Sequence, residues 1–256
     1  MMQLDNIGLT LGDTPILRGV SLQLQPSRVT VVLGPNGAGK SSLLKVASGE
    51  QPATAGSVTF NGKPLAQHSA AHKALHMAVL PQHSSLTFPF SALEVVMLGR
   101  TPHATGTGVD AQLVEQAMRA TDSWYLREQL YPNLSGGEKQ RVQMARVLVQ
   151  VWQPVDSGDR LIVLDEPTSA LDYAHQQMVA QLLRQRADAG CAVLTAMHDL
   201  NLAAQCADQL VLMCCGEIRA CGSADEVLQE DILQEVFQVR FHRITHPDTG
   251  KPWLIN

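Results

Sequence analysis

The sequence predicts an α/β fold, a parallel sheet with helices on both faces and a helical insertion. Three observations predict it. A short apolar run at 29–33 leads through a glycine-rich turn into a helical pattern at 39–49. A second apolar run, 161–164, ends in two acids, Asp165 and Glu166. Beyond it, strand and helix patterns alternate, which implies βαβ units.

The elements follow in order. Residues 3–11, 16–25 and 57–61 carry β-formers and are separated by the turn signals Gly12 to Pro15 and Asn61-Gly62. The run at 29–33 reads as a buried parallel strand. Gly49 stands where a helix C-terminal cap is expected, and 77–80 is another core strand. From Gln82 to about Val149 no strong strand appears. Residues 94–98, 111–121 and 124–130 look helical, with Leu113/Ala117 and Val114/Met118 at the spacing of a buried stripe. Strands resume at 161–164, 192–197 and 209–214, with helices at 172–189 and 199–206 between them. The tail, 241–256, carries a Pro247-Asp248-Thr249-Gly250 turn and reads as a terminal hairpin.

Composition narrows the function. The 256 residues are 45% hydrophobic and 17% charged, with a net charge of -5. No global positive field draws such a chain to nucleic acid or anionic lipid. No secretory signal opens the sequence, and no apolar stretch reaches the roughly 18 residues of a membrane span. Any membrane role is expected to come through a partner. Cys191, Cys206, Cys214, Cys215 and Cys221 form no C-x-x-C pair and no zinc spacing. They are expected to be buried thiols in a reducing cytosol.

Gly34-Pro35-Asn36-Gly37-Ala38-Gly39-Lys40-Ser41 fits G-x-x-x-x-G-K-[ST]. It lies between a strand and a helix, the context a phosphate-binding loop requires. The glycines let backbone N–H groups converge on phosphate oxygens, and the helix start adds its dipole. Lys40 is expected to neutralise phosphate charge and Ser41 to hold Mg²⁺; Ser42 completes the stretch. A strand delivers Asp165 and Glu166 to the sheet edge where ligands sit. There Asp165 is expected to bind Mg²⁺ and Glu166 to activate water. His198, just past the strand at 192–197, and Gln82, just past that at 77–80, reach the same edge. His198 is expected near the γ-phosphate, and Gln82 on Mg²⁺ or the attacking water.

Leu134-Ser135-Gly136-Gly137-Glu138 precedes a helical pattern. Ser135 and Glu138 form a capping-box pair. Two glycines at a helix start cost roughly 1 kcal/mol each, and the close approach of an external anion to bare backbone accounts for them.

Taken together, these strings resemble the nucleotide-binding subunits of ABC transporters over essentially the full length. The elements stand in family order: the loop at 34–41, Gln82, Leu134 to Arg141, Asp165-Glu166, Ser169-Ala170-Leu171-Asp172, and His198. The resemblance implies a RecA-like P-loop core with an antiparallel β subdomain, over about 1–82 and 150–256, and a helical subdomain over about 83–149. It also implies ATP and Mg²⁺ as ligands. Two subunits would pair head to tail, so that Ser135, Gly136 and Gly137 of one face the γ-phosphate on the other, with Asp172 linking the two sites. The family stacks an aromatic ring on adenine. The matching position here is Leu11, which implies a looser preference for adenine over guanine.

The absence of fused membrane helices is similar to bacterial importers, whose ATPase subunits are separate. Such a subunit sits on the cytoplasmic face of the inner membrane, against two permease subunits and indirectly a substrate-binding protein. Phe88-Pro89-Phe90 and Leu98 to His103 resemble ATPases of importers for iron–siderophores, haem and cobalamin. The insert Pro154 to Arg160 resembles the haem group in particular. Siderophore and cobalamin import stay open as alternatives, as does a soluble mechanical ATPase, although no heptads lie between Lys40 and Ser135. The substrate does not touch this subunit, so His103 and the other histidines outside the site are expected to be surface or core residues.

Overall fold

The computed structural model describes residues 1–82, 86, 88–155, 158–247 and 249–255. The chain opens with an antiparallel hairpin, β1 (Met2–Leu11) and β2 (Thr14–Leu24), closed by the pairing of Leu11 with Thr14. Next come β3 (Val29–Leu33) and α1 (Lys40–Ser48), joined by the glycine-rich loop. All five residues of β3 are buried; four are apolar, and the Thr30 hydroxyl donates to the Gln209 side-chain oxygen at 3.2 Å. Two further strands, β4 (Ala55–Phe60) and β5 (Lys63–Pro64), extend the hairpin into a four-stranded sheet ordered β2-β1-β4-β5, all antiparallel. A short helix, α2 (Ala70–His76), capped by the Ser69 side chain, leads into β6 (Met77–Leu80).

The middle of the chain is helical. It holds α3 (Ala92–Met97), α4 (Thr107–Ala120) and α5 (Gly136–Gln150), which bury Val95, Val96, Val114, Met118, Val142 and Ala145 against one another. Only a 3-10 turn, Trp124–Leu126, forms where a helix over 124–130 was expected. The carbonyls of Arg127 and Gln129 instead accept from the N–H groups of Leu93 and Ala92. Those bonds tie the segment to α3, while within it the carbonyls of Ser123, Trp124 and Leu126 accept from N–H groups three residues ahead, the 3-10 pattern.

The second half supplies β7 (Arg160–Asp165), α6 (Tyr173–Asp188), β8 (Cys191–Ala196), α7 (Leu200–Cys206), β9 (Gln209–Cys214) and β10 (Glu217–Gly222). Two small helices, α8 (Ala224–Val227) and α9 (Glu230–Phe237), and a hairpin of β11 (His242–Thr245) and β12 (Pro252–Ile255) follow. The six-stranded sheet runs β10-β9-β3-β8-β7-β6, parallel except for β10. One apolar cluster packs α5, α6 and α7 on one face of it, and a second packs α1 and the β1–β2 hairpin on the other. This is a RecA-like P-loop core with a β subdomain, as the sequence predicts.

Some elements were not anticipated: α2, β10, α8 and α9. Missing β10 also misplaced the cysteines. Cys191 and Cys206 are buried, but Cys214 is half-buried, and Cys215 and Cys221 are exposed, because they lie at or on this edge strand. Asp156 and Ser157 of the insert at 154–160, Asp248 of the tail turn and Asn256 lie outside the described residues. No described helix is long and apolar enough to cross a membrane.

Candidate active site

A cleft of about 730 Å³ opens at the C-terminal ends of the parallel strands. Residues 36–42 form its floor, and Ile16, Gln82, Glu166 and His198 its walls.

The floor owes its shape to glycine. Gly34 has φ 146°, and a Cβ there would stand 2.3 Å from the Met213 carbonyl oxygen. Gly39, with φ 101°, precedes α1 without any side-chain cap. The first N–H groups of α1 therefore point free of the protein's own side chains, as an anion site needs. Lys40 is 5% exposed. Its Nζ donates to the Gly34 carbonyl at 2.8 Å and the Pro35 carbonyl at 3.2 Å. Burial lowers its pKa, and the carboxylates of Glu166 and Asp165 oppose that shift. Phosphate oxygens would give this ammonium stronger, charged acceptors than the two carbonyls.

Asp165, the last residue of β7, is 6% exposed. Its Oδ1 is buried with no hydrogen-bond partner. Burial raises the carboxyl pKa, while the Ser41 hydroxyl, and more weakly Lys45 and Lys40, pull it back. An unpartnered buried carboxylate oxygen beside a hydroxyl is a hard-oxygen donor pair. It fits a Mg²⁺ ion, which takes one or two protein ligands and completes its shell with water and phosphate.

Glu166 turns the chain sharply. Its φ is 52°, its N–H donates to the Ala196 carbonyl at 3.2 Å, and its own carbonyl accepts from the Ser169 hydroxyl. A non-glycine residue held in the left-handed region costs roughly 1 kcal/mol. That twist aims the carboxylate into the cleft. There Gln82 Nε2 donates to Oε2 at 3.0 Å, and His198 Nε2 meets Oε1 at 2.5 Å. His198 is placed by two neighbours: the Met197 N–H donates to the Val32 carbonyl, and Asp199 caps α7 by accepting from Asn201 and Leu202.

The structure thus brings together 36–42, Gln82, Glu166 and His198, with Gly34 and Asp165 adjoining the cleft. It does not bring Ser135, Gly136, Gly137, Asp172 or Leu11 to the same walls. Ser135 caps α5 in a full capping box; its N–H donates to Glu138 Oε2 at 2.8 Å and its Oγ accepts from the Glu138 N–H at 3.4 Å. The two glycines behind it differ. A Cβ at Gly136 would meet nothing within 4 Å, whereas one at Gly137 would stand 3.1 Å from the Ala170 carbonyl. Gly137 thus has an internal packing reason that anion approach does not supply. Gln140 Nε2 reaches the Pro167 carbonyl at 3.1 Å, tying α5 to the loop that follows Glu166. Asp172 caps α6 by accepting from the His175 N–H, and that bond, with the His175 ring second, keeps its carboxyl below the usual range. Leu11 is 48% exposed at the hairpin end. The wall residue there is Ile16, which sequence reasoning missed because an apolar side chain early in a hairpin strand carries no distinguishing signal.

The sequence profile of the ABC transporter family matches residues 17–169. The chain is 46% identical over 255 residues to the hemin import ATP-binding protein HmuV of Pseudomonas putida, covering 100% of this chain and 99% of that protein. It is 45% identical over 257 residues to the protein of the same name from Gloeobacter violaceus, covering 100% and 94%. Among solved structures, a metal-chelate type ABC transporter in an inward-facing conformation superposes with TM-score 0.80 at 25% identity, covering 99% of this chain and 96% of that one. A dimeric bacterial ABC transporter cassette superposes with TM-score 0.78 at 23% identity, covering 88% and 99%.

Proposed function

This chain belongs to the ABC transporter family, and from that premise we propose that it is the ATP-hydrolysing subunit of a bacterial importer whose cargo is haem. Full-length likeness to hemin import ATP-binding proteins supports the cargo. Siderophore and cobalamin importers are the alternatives, and likeness to a metal-chelate transporter keeps them in view. The observation that carries the activity is one cleft holding Lys40 on its floor and Glu166, clamped by Gln82 and His198, on its wall.

The backbone N–H groups of 36–42 and the Lys40 ammonium bind the phosphates of ATP. Ser41, Asp165 and Gln82 would hold Mg²⁺, which when bound supplies positive charge to the phosphate oxygens. Glu166 accepts the proton of the attacking water, while Gln82 and His198 fix the carboxylate and the water in line with the γ-phosphate. Lys40 and His198 stabilise the charge of the transferring phosphoryl group. Ser135, Gly136 and Gly137 of a second copy close over that phosphate, with Asp172 at the joint between the two sites. The exposed start of α5 and the open space over Gly136 support this pairing. Two permease subunits dock on the helical part, taken as about 83–149, and a substrate-binding protein delivers cargo to them. The separate helical core supports that division. The subunit then lies peripherally on the cytoplasmic face of the inner membrane. Leu11 and Ile16 offer the base apolar contact without ring stacking.

The test is to reconstitute the chain with its neighbouring membrane subunits and measure phosphate release. Haem-loaded binding protein is expected to stimulate turnover more than siderophore-loaded or cobalamin-loaded protein. Glu166→Gln should lower turnover by about 10² to 10⁴ with ATP affinity kept. Equal stimulation by all three cargoes would remove haem, and unchanged turnover in the variant would remove Glu166.

A further inference from the structure

Cys214 and Cys215 are chain neighbours at the end of β9 and in the turn to β10, with sulfurs 3.6 Å apart. Cys214 is half-buried and Cys215 exposed. Cys215 has φ 51°, and Gly216 follows with φ 83°. This turn is wedged between the phosphate loop and β2. The Gly216 N–H donates to the Ala38 carbonyl at 3.1 Å, and the Gly216 carbonyl accepts from the Arg18 N–H at 2.9 Å. A Cβ at Gly216 would stand 2.3 Å from the Ile16 carbonyl. The preceding Met213 carbonyl limits Gly34 in the same way. A displaced turn therefore moves the floor of the cleft and Ile16 on its wall.

We propose that Cys214 and Cys215 form a dithiol that small disulfides close into an intrachain bridge, and that closure weakens nucleotide binding by pulling Gly216 from Ala38. Exposed Cys215 loses its proton and attacks one sulfur of the small disulfide. The oxidant's S–S bond breaks, and the departing thiolate takes that proton. Cys214 then loses its own proton and attacks the Cys215 sulfur, expelling the second small thiol, which takes up the proton. The protein sulfurs are oxidised to one disulfide, and the small disulfide is reduced to two thiols. The order follows from exposure, and burial with the adjoining Cys215 sulfur also raises the Cys214 pKa.

Neighbouring Cα atoms are about 3.8 Å apart, shorter than the roughly 4.4–6.8 Å of ordinary disulfides. The ring closes only if the peptide between Cys214 and Cys215 twists, and Gly216, which follows directly, is the residue bonded to Ala38 and Arg18. Such a strained, exposed bridge belongs to the readily reduced, regulatory kind. The coupling to nucleotide rests on the proposed ATP site; the closure itself does not.

The test uses the full chain with Cys221→Ser, which removes the other exposed thiol, treated with oxidised glutathione. Mass spectrometry of the peptide holding both cysteines is expected to show the loss of two hydrogens with no glutathione retained. ATP affinity should fall about fivefold, the effect of losing one backbone hydrogen bond, and dithiothreitol should restore it. Cys215→Ser should leave affinity unchanged under oxidant, and Cys214→Ser should retain glutathione on Cys215. A stable glutathione adduct on the parent chain, a bridge between two chains, or full affinity after closure overturns the proposal. Reduced protein that fails to bind ATP removes the nucleotide reading and the coupling with it, and the dithiol is then judged by mass alone.

Discussion

Asp165 carries a charge where the protein offers it little compensation. Its Oδ1 is buried without a partner and burial raises its pKa, so the folded state holds this proton to higher pH than the unfolded chain does. The linkage sign follows. As pH climbs from the ordinary carboxyl range through the raised value, the unfolded chain binds fewer protons than the folded one, and stability falls. Asp165→Asn removes the titrating group. Wild-type protein without cation is therefore expected to lose stability over that window, and the variant to lose less. Mg²⁺–ATP at a hundredfold excess over its Kd should then return about 2.7 kcal/mol to the wild type, while the variant gains less at the same concentration. Urea denaturation across the pH window, with and without Mg²⁺–ATP, checks both. Parallel slopes, or equal gains, would take the cation away from Asp165.

The helix starts at α1 and α5 differ in how they are covered. At α1 the uncapped start faces the cleft of its own chain; at α5 the capping box satisfies the local donors, yet Gly136 faces open space. Gly136→Ala meets no steric obstacle and is expected to stabilise the isolated chain by about 0.5 kcal/mol. Its methyl group should nevertheless lower ATP turnover if α5 closes over a second copy's phosphate as proposed, because it occupies that surface. Gly137→Ala should lose stability against the Ala170 carbonyl. Denaturant midpoints and phosphate release separate the two, and a Gly136→Ala chain with normal turnover would leave that surface without its role. Elements such as β3, β6 and β9 were legible to the residue, since buried parallel strands read as short, mostly apolar runs. Edge strand β10 was not, because its six residues hold one β-branched side chain, Ile218, and no aromatic. Helix α2 has seven residues, too few for periodicity to declare itself.

Across the whole molecule, parallel register explains why distant residues meet. Leu80 pairs with Leu164, Asp165 with Ala196, and Ala196 with Val32. Gln82, Glu166 and His198 each follow one of these strand ends, so one edge collects them beside the loop after β3. That much of the site was legible, because motif position relative to a strand fixes position on the sheet edge. Ile16 was not, because a separate antiparallel hairpin brings it to the wall. The partner surface was legible only as a puzzle, two glycines at a helix start, one of which Ala170 already explains. The remaining glycine decides whether the site is complete in one chain. Glu166→Gln protein loaded with ATP is expected to hydrolyse its nucleotide slowly and so to accumulate as a pair, in solution or on the membrane subunits, with about twice the protomer mass by light scattering or cross-linking. In the proposed pair, adding Gly136→Glu would place a carboxylate against the partner's γ-phosphate, where like charges repel. The double variant should bind ATP as one protomer and remain single. Pairing that ignores this carboxylate would place the closing surface elsewhere, and protomers that stay single in both variants would leave each cleft to work alone.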